Sequence, residues 1–183
     1  MESAHKIVEI CPSILVFDNE KLDYIETLST EKEQGKLSKG VTFYCDEQVT
    51  SESFTISFEI MFGEHVTGDS RQRLIKVGSL CEVMIACSNM ILVQVKDQEV
   101  QRESGLKLGE WNKIDICFQQ TLKLVRVGVN GILRNGIEDV RFEDEDLQPY
   151  TLGGHSKYTV QKGKDHHHKS RHLFHGLIKK LQM

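Results

Sequence analysis

The side chains best suited to chemistry crowd the last third of the chain. Residues 155–172 hold Lys157, Lys162, Lys164, Lys169 and Arg171 against one acid, Asp165, a net of +4 before any histidine is protonated. Tyr158 and five histidines lie in the same stretch, among them His166, His168 and His172. Just upstream, residues 138–146 carry six acids against Arg141, a net of −5. A basic loop on an acidic protein can take a phosphate, a sulfate, an RNA backbone or an acidic protein face. Lys157, Tyr158, Lys162, Lys164, His166 and Arg171 are therefore the candidate ligand-binding residues. Nucleic acid is disfavoured, because the whole chain is at −4. Tyr158 and Phe174 are also too few aromatics for a base-stacking platform.

Metal and acid–base chemistry find less support. His168 and His172 would share one face of a helix at the i, i+4 spacing of zinc ligands. Lys164, Lys169 and Arg171 flank them, and only Asp165 is near to complete a shell. Asp69 and Asp97 could join a calcium rim but match no ligand pattern. No metal or cofactor is assigned. The one dense acidic cluster is Phe142-Glu143-Asp144-Glu145-Asp146-Leu147. Two carboxylates facing one cleft can cleave a glycosidic bond. Here the intervening positions are acidic too, so a strand would force some carboxylates into the core at high cost. A solvated acidic loop is expected, with no catalytic residue and no enzyme activity.

The elements that must carry these groups read as strands. Phe54, Ile56, Phe58, Ile60 and Phe62 alternate with Thr55, Ser57 and Glu59, a period of two that places the sets on opposite faces. Ile114, Ile116 and Phe118 alternate with Lys113, Asp115 and Cys117 behind Trp111, and Val125, Val127 and Val129 follow the same rule. Short apolar runs at 73–77, 82–87 and 90–95 add three strands, with Ser88-Asn89 joining the last two. Asn130-Gly131 predicts a type I′ hairpin turn, and Asn135-Gly136 a second turn of that chemistry. Ser13–Phe17, Val41–Cys45, Tyr150–Gly154 and Leu173–Ile178 complete the set. Residues 20–35 are charge-rich and predict a short helix or surface loop. The 183 residues fit one domain, 1–183, built as an all-β, two-sheet antiparallel sandwich.

The five cysteines are odd in number and contain no C-x-x-C pair, which predicts reduced thiols. The first residues lack the basic start and apolar run of a secretory leader. No window approaches the roughly 18 apolar residues of a membrane span. A cytoplasmic protein is expected.

The order FTISFEIMF, RLIKVGS, CEVMIACSNMILVQV, LGEWNKIDICF, KLVRVGVNG, YTLGG and LFHGLIKKLQM resembles the concanavalin A-like jelly rolls, and within them the laminin-G-like modules. That likeness covers about 130 residues and implies a jelly roll. Trp111 is expected to cover the sandwich edge, Gly153-Gly154 to permit a bend, and Gly176 to mark a bulge or a close backbone approach. Secreted laminin-G modules carry a disulfide near their C-terminal end, and no cysteine follows Cys117 here, as in a cytosolic member. Galectins, similar in fold, use a Trp-Gly-x-Glu stretch. Trp111 is followed by Asn112 and Lys113, so galactoside binding does not transfer. The functional expectation is a non-enzymatic module that docks a protein partner, as a subunit of a larger assembly. The alternative is a lectin-like module for a carbohydrate or anionic glycan.

Overall fold

A computed structural model describes residues 9–11, 15–17, 41–44, 53–63, 71–153, 174 and 176–183. Thirteen strands are seen among them. They are β1 (Glu9–Cys11), β2 (Leu15–Phe17), β3 (Val41–Phe43), β4 (Ser53–Met61), β5 (Gln72–Val77), β6 (Cys81–Ala86), β7 (Met90–Val95), β8 (Gln98–Arg102), β9 (Asn112–Gln119), β10 (Leu124–Val129), β11 (Ile132–Ile137), β12 (Tyr150–Leu152) and β13 (Gly176–Gln182). Short 3-10 turns occupy Cys87–Asn89 and Asp144–Leu147. No helix among the described residues is long and apolar enough to cross a membrane.

The strands form two antiparallel sheets. One runs β1-β13-β4-β9-β10-β11, with β2 also paired to β13, and has seven strands. The other runs β3-β12-β5-β6-β7-β8 and has six. The predicted alternation is realised on β4 and β9. Ile56, Phe58 and Ile60 meet Ile114 and Ile116 on the inner face, and all five are buried. The six-stranded sheet contributes Ile75, Val77, Val83, Ile85, Val93, Tyr150 and Leu152 to the same core. Burying aliphatic and aromatic side chains at about 25 cal/mol per Å² drives the two sheets together. Phe54 stacks on Phe118 with ring centroids 4.8 Å apart, and Phe142 meets Phe118 edge-on at 6.0 Å.

Asn130 and Gly131 have φ of +51° and +80°, so the type I′ turn between β10 and β11 forms as its sequence predicts. Asn135-Gly136 does not turn. Both residues lie inside β11, with Gly136 opposite Arg126 and Asn135 opposite Val127. The physical reason is the Asn135 amide, which is buried and donates to the carbonyls of Ile91 and Val100 at 3.1 and 3.3 Å. It fastens the edge of one sheet to two strands of the other. Arg134 is the extra residue of a bulge between Val127 and Gly128. Its guanidinium lies against Gly105, where a Cβ would clash with it.

Other expectations shift by a residue or two. The 82–87 run is β6, Cys81–Ala86, and the link at Ser88-Asn89 is a 3-10 turn. At Gly176 a Cβ would collide with the carbonyl oxygen of Met61, so a close backbone approach is what that glycine serves. Gly153, at φ +65°, makes the bend after β12 and donates its N–H to Leu74 at 2.9 Å. Residues 20–35 lie outside the described residues.

Candidate functional site

All six residues singled out in the basic loop, Lys157, Tyr158, Lys162, Lys164, His166 and Arg171, lie outside the described residues, as do His168, His172 and Asp69. No group of three or more metal-ligating side chains occurs among the described residues.

The acidic cluster is described. Residues 144–147 form a 3-10 turn rather than a strand, with Glu143, Asp144 and Glu145 exposed and Leu147 buried. The acids therefore do not alternate toward a cleft. Glu143 and Asp146 cap the turn reciprocally, and Asp146 accepts from the Glu143 backbone at 3.0 Å and from the Ser79 hydroxyl at 3.0 Å. The Glu143 N–H, helped by Ser79 and the Lys96 charge, outweighs burial and holds the Asp146 carboxyl below its ordinary range. Glu143 and Asp146 thus hold the turn together.

The outer faces of the two sheets are where function can reside. On the six-stranded sheet, alternation turns one set of residues away from the core. Thr42, Thr151, Lys76, Glu82, Gln94 and Glu99 stand directly opposite one another across all six strands. Neighbouring strands are about 4.8 Å apart, so this polar row spans roughly 24 Å. The Thr42 and Thr151 hydroxyls are 3.2 Å apart at one end. Tyr44, just beyond β3, is exposed beside them.

Below that row stand Arg73, Met84, Leu92 and Gln101. Met84, Ala86 and Leu92 form a second small apolar cluster, fully buried, on this outer face. Every residue of β6 is buried, so the strand is covered on both sides. Within this cover, Arg73 Nε donates to Glu82 Oε1, both side chains being buried. A second arginine, Arg71, precedes β5 yet reaches Glu99 on β8 at 2.9 Å. Those strands are three spacings apart, about 14 Å, so the pair reaches across β6 and β7. Arg71 and Glu99 keep 29% and 31% of their side-chain surface in solvent. Gln94 and Gln101 are half-buried next to Glu99 on the same face.

The outer face of the seven-stranded sheet is differently made. Glu59 stands opposite Lys179 on one side and Lys113 on the other. Its carboxylate lies 3.3 Å from Lys179 and 3.2 Å from Lys180. Burial pushes the Glu59 carboxyl up, but hydrogen bonds and charge from Lys180 and Lys179 prevail and leave it below the ordinary glutamate range. In the next row the Ser57 hydroxyl donates to Asp115 at 2.5 Å, and Lys113 pairs with Asp115 at 3.2 Å. Cys117 accepts from the Thr55 hydroxyl at 3.3 Å. Trp111 differs from its expected place. It stands at the start of β9 with the Lys179 ammonium 3.7 Å from its ring centroid, on this outer side rather than over the sandwich edge.

Cys81 and Cys117 are free thiols. Burial raises the Cys81 pKa strongly, which makes it inert as a nucleophile.

Arg71, Gln94, Glu99 and Gln101 were not singled out in the sequence. Polar residues alternating on a strand look the same whether they face solvent or a ligand. Only the pairing of Arg71 with a distant strand separates them.

No protein-family model matches the chain, and no curated protein matches it in sequence. Solved structures do resemble it. The carbohydrate-binding CBM40 domain of the Ruminococcus gnavus IT-sialidase, bound to α2,3-sialyllactose, superposes with a TM-score of 0.51 at 14% identity, over 82% of this chain and 88% of that one. Botulinum neurotoxin type C, whose cell entry depends on interaction with two ganglioside molecules, gives a TM-score of 0.53 at 15% identity, over 97% of this chain and 42% of that one. The botulinum neurotoxin serotype C1 binding domain gives 0.49 at 16% identity, over 77% of this chain. The chain spans only 36% of that solved chain. What it shares with the first two is the architecture, a two-sheet jelly-roll β-sandwich.

Proposed function

We propose that this chain is a non-catalytic, lectin-like module that binds a carbohydrate, with an acidic glycan as the preferred class. The observation that carries the reading is the Arg71–Glu99 pair, held at 2.9 Å across the outer face of the six-stranded sheet and partly open to water. A guanidinium recognises a carboxylate through a planar, two-pronged geometry. Glu99, Gln94 and Gln101 add acceptors and donors beside it, and sugar hydroxyls need both. The partner of Arg71 is already anionic, so a ligand carboxylate would compete for the same donors. The jelly-roll fold shared with a domain bound to sialyllactose supports this class of ligand. The motif order of the second half keeps the laminin-G-like subtype as the proposed relation.

A protein-docking module was the first expectation from sequence. The open part of this face is polar, whereas the core of a protein interface is depleted in charge and rich in aromatics. That contrast puts the glycan first.

Glycan-array screening followed by calorimetry with sialyllactose and with neutral lactose tests the reading. Saturable binding that prefers the acidic sugar is expected. Arg71→Ala is expected to weaken it by about tenfold or more, the loss of one charge-assisted pair. Absence of saturable binding to any glycan, or unchanged affinity in Arg71→Ala, overturns it.

A further inference from the structure

One end of the sandwich carries a different combination of side chains. Among the described residues only four large hydrophobics are exposed, and two are adjacent, Ile132 at 55% and Leu133 at 58%. They follow directly on the Asn130-Gly131 turn, at the tip of the β10–β11 hairpin. The tip is braced. Asn130 donates its N–H to the Lys113 carbonyl at 2.9 Å, and its side-chain oxygen accepts from the Lys113 N–H at 2.8 Å. The Asn130 amide donates to Asn112 Oδ1 at 3.1 Å. Asn112 is itself buried and bonds to Lys107 N–H, Lys107 C=O and Glu110 C=O at 2.8 to 2.9 Å. One buried amide therefore ties together the hairpin tip, the 107–110 loop and the strand that Trp111 opens.

The groups around the tip are of three kinds. Ile132 and Leu133 are aliphatic, and Leu106 and Leu108, in the neighbouring loop, are half-buried against the core. Trp111 is a half-buried indole carrying the Lys179 ammonium. The charged groups are Lys107 paired with Glu110, Lys113 paired with Asp115, Lys179 and Lys180 sharing Glu59, and Arg134 against Gly105. That is a local excess of two positive charges in a chain whose total is −4.

We infer that this end docks on a membrane surface bearing anionic phospholipid, with Ile132 and Leu133 entering the headgroup region and Trp111 and the lysines seated at its level. Aliphatic side chains in the acyl boundary, indole at the interface and lysine toward anionic headgroups is the combination that holds peripheral proteins on bilayers. A stable protein interface needs about 800 Å² from each partner, far more than two side chains at a hairpin tip supply. Self-pairing through β11 is obstructed by the Arg134 bulge, which interrupts the strand edge. A bilayer requires no matching pocket and accepts a braced hairpin tip.

Co-sedimentation with vesicles of equal parts phosphatidylcholine and phosphatidylserine, and with phosphatidylcholine alone, tests the inference. These lipids carry no glycan, so the result is independent of the carbohydrate reading. The protein is expected to pellet with the mixed vesicles, less so as salt is raised, and weakly with phosphatidylcholine alone. Ile132→Asp with Leu133→Asp is expected to lower the bound fraction about tenfold or more. Ile132→Ser with Leu133→Ser gives the same direction, and a thermal melt confirms that the variants fold. Arg71→Ala is expected to pellet like the unaltered protein. No pelleting of the unaltered protein, equal pelleting on both vesicle types, or unchanged pelleting of the folded tip variants each overturns the inference. So does tip-dependent self-association by light scattering in place of vesicle binding.

Discussion

The two outer faces belong to the same sandwich and obey the same alternation, yet they are built on different physics. On the seven-stranded sheet the outward Glu59 pairs with Lys179 and Lys180, and Lys113 pairs with Asp115, all in partial contact with water. On the six-stranded sheet the outward residues of β6 are sealed, and an Arg73–Glu82 pair is buried among Met84, Ala86 and Leu92. Charges on the first face are screened and cheap to alter. Charges on the second are desolvated, so their loss is expensive. The difference teaches that an outward-pointing residue in a β-sandwich is not thereby a surface residue.

Matched substitutions should break this comparison if it is wrong. Leu92→Asp places a charge in the sealed cluster and is expected to abolish cooperative unfolding in circular dichroism. Arg126→Asp, on the opposite outer face, is expected to change stability by about 0.5 kcal/mol or less. If both behave alike, the faces are not distinct.

Glu82→Ala strands the Arg73 guanidinium in a buried setting and is expected to cost about 3–5 kcal/mol in urea unfolding. Replacing the pair together, Arg73→Met with Glu82→Leu, should recover most of that loss. A full loss in the double variant would show that the pair itself, rather than its imbalance, stabilises the sheet. Glu59→Gln on the other face is expected to cost about 1 kcal/mol or less, shrinking further in high salt.

The smallest effect is in the pH dependence. The folded-state pKa of Glu59 lies below the ordinary value, so its contribution is fully present above that value and is lost as pH falls through the folded pKa. Glu59→Gln should therefore flatten the acid limb of stability, measured by urea midpoints below neutral pH, without changing the neutral and alkaline region. An unchanged acid limb would show that the lysines do not act on this carboxylate.

Legibility of the fold in the sequence followed the same division. β4 and β9 have one dry and one partly wet face, so their period of two is written plainly in FTISFEI and NKIDICF. β6 and β7 read as apolar runs because outward Met84 and Leu92 are as buried as inward Val83 and Val93. β8, QEVQR, has too few apolar residues to announce itself and exists because β7 offers it a pairing edge. β11 was hidden by Asn135-Gly136, whose turn chemistry gave way to a side-chain bond into the other sheet. The candidate site was less legible. Arg71 and Glu99 are 28 residues apart, and nothing local marks them as partners.

The place of β13 has a consequence for how the chain is made. Residues 176–182 pair with β4 on one side and with β1 and β2 on the other, so strands from both ends of the sequence meet in one sheet. During synthesis, β4 can find β9 within 60 or so residues of chain but must wait for β13 to emerge. Until then β4 presents an open edge with apolar neighbours, the arrangement that invites pairing with other nascent chains. Nascent chains from which β13 has yet to emerge should hence be the aggregation-prone species, and pairing of residues 176–182 with β4 the step that closes the sheet.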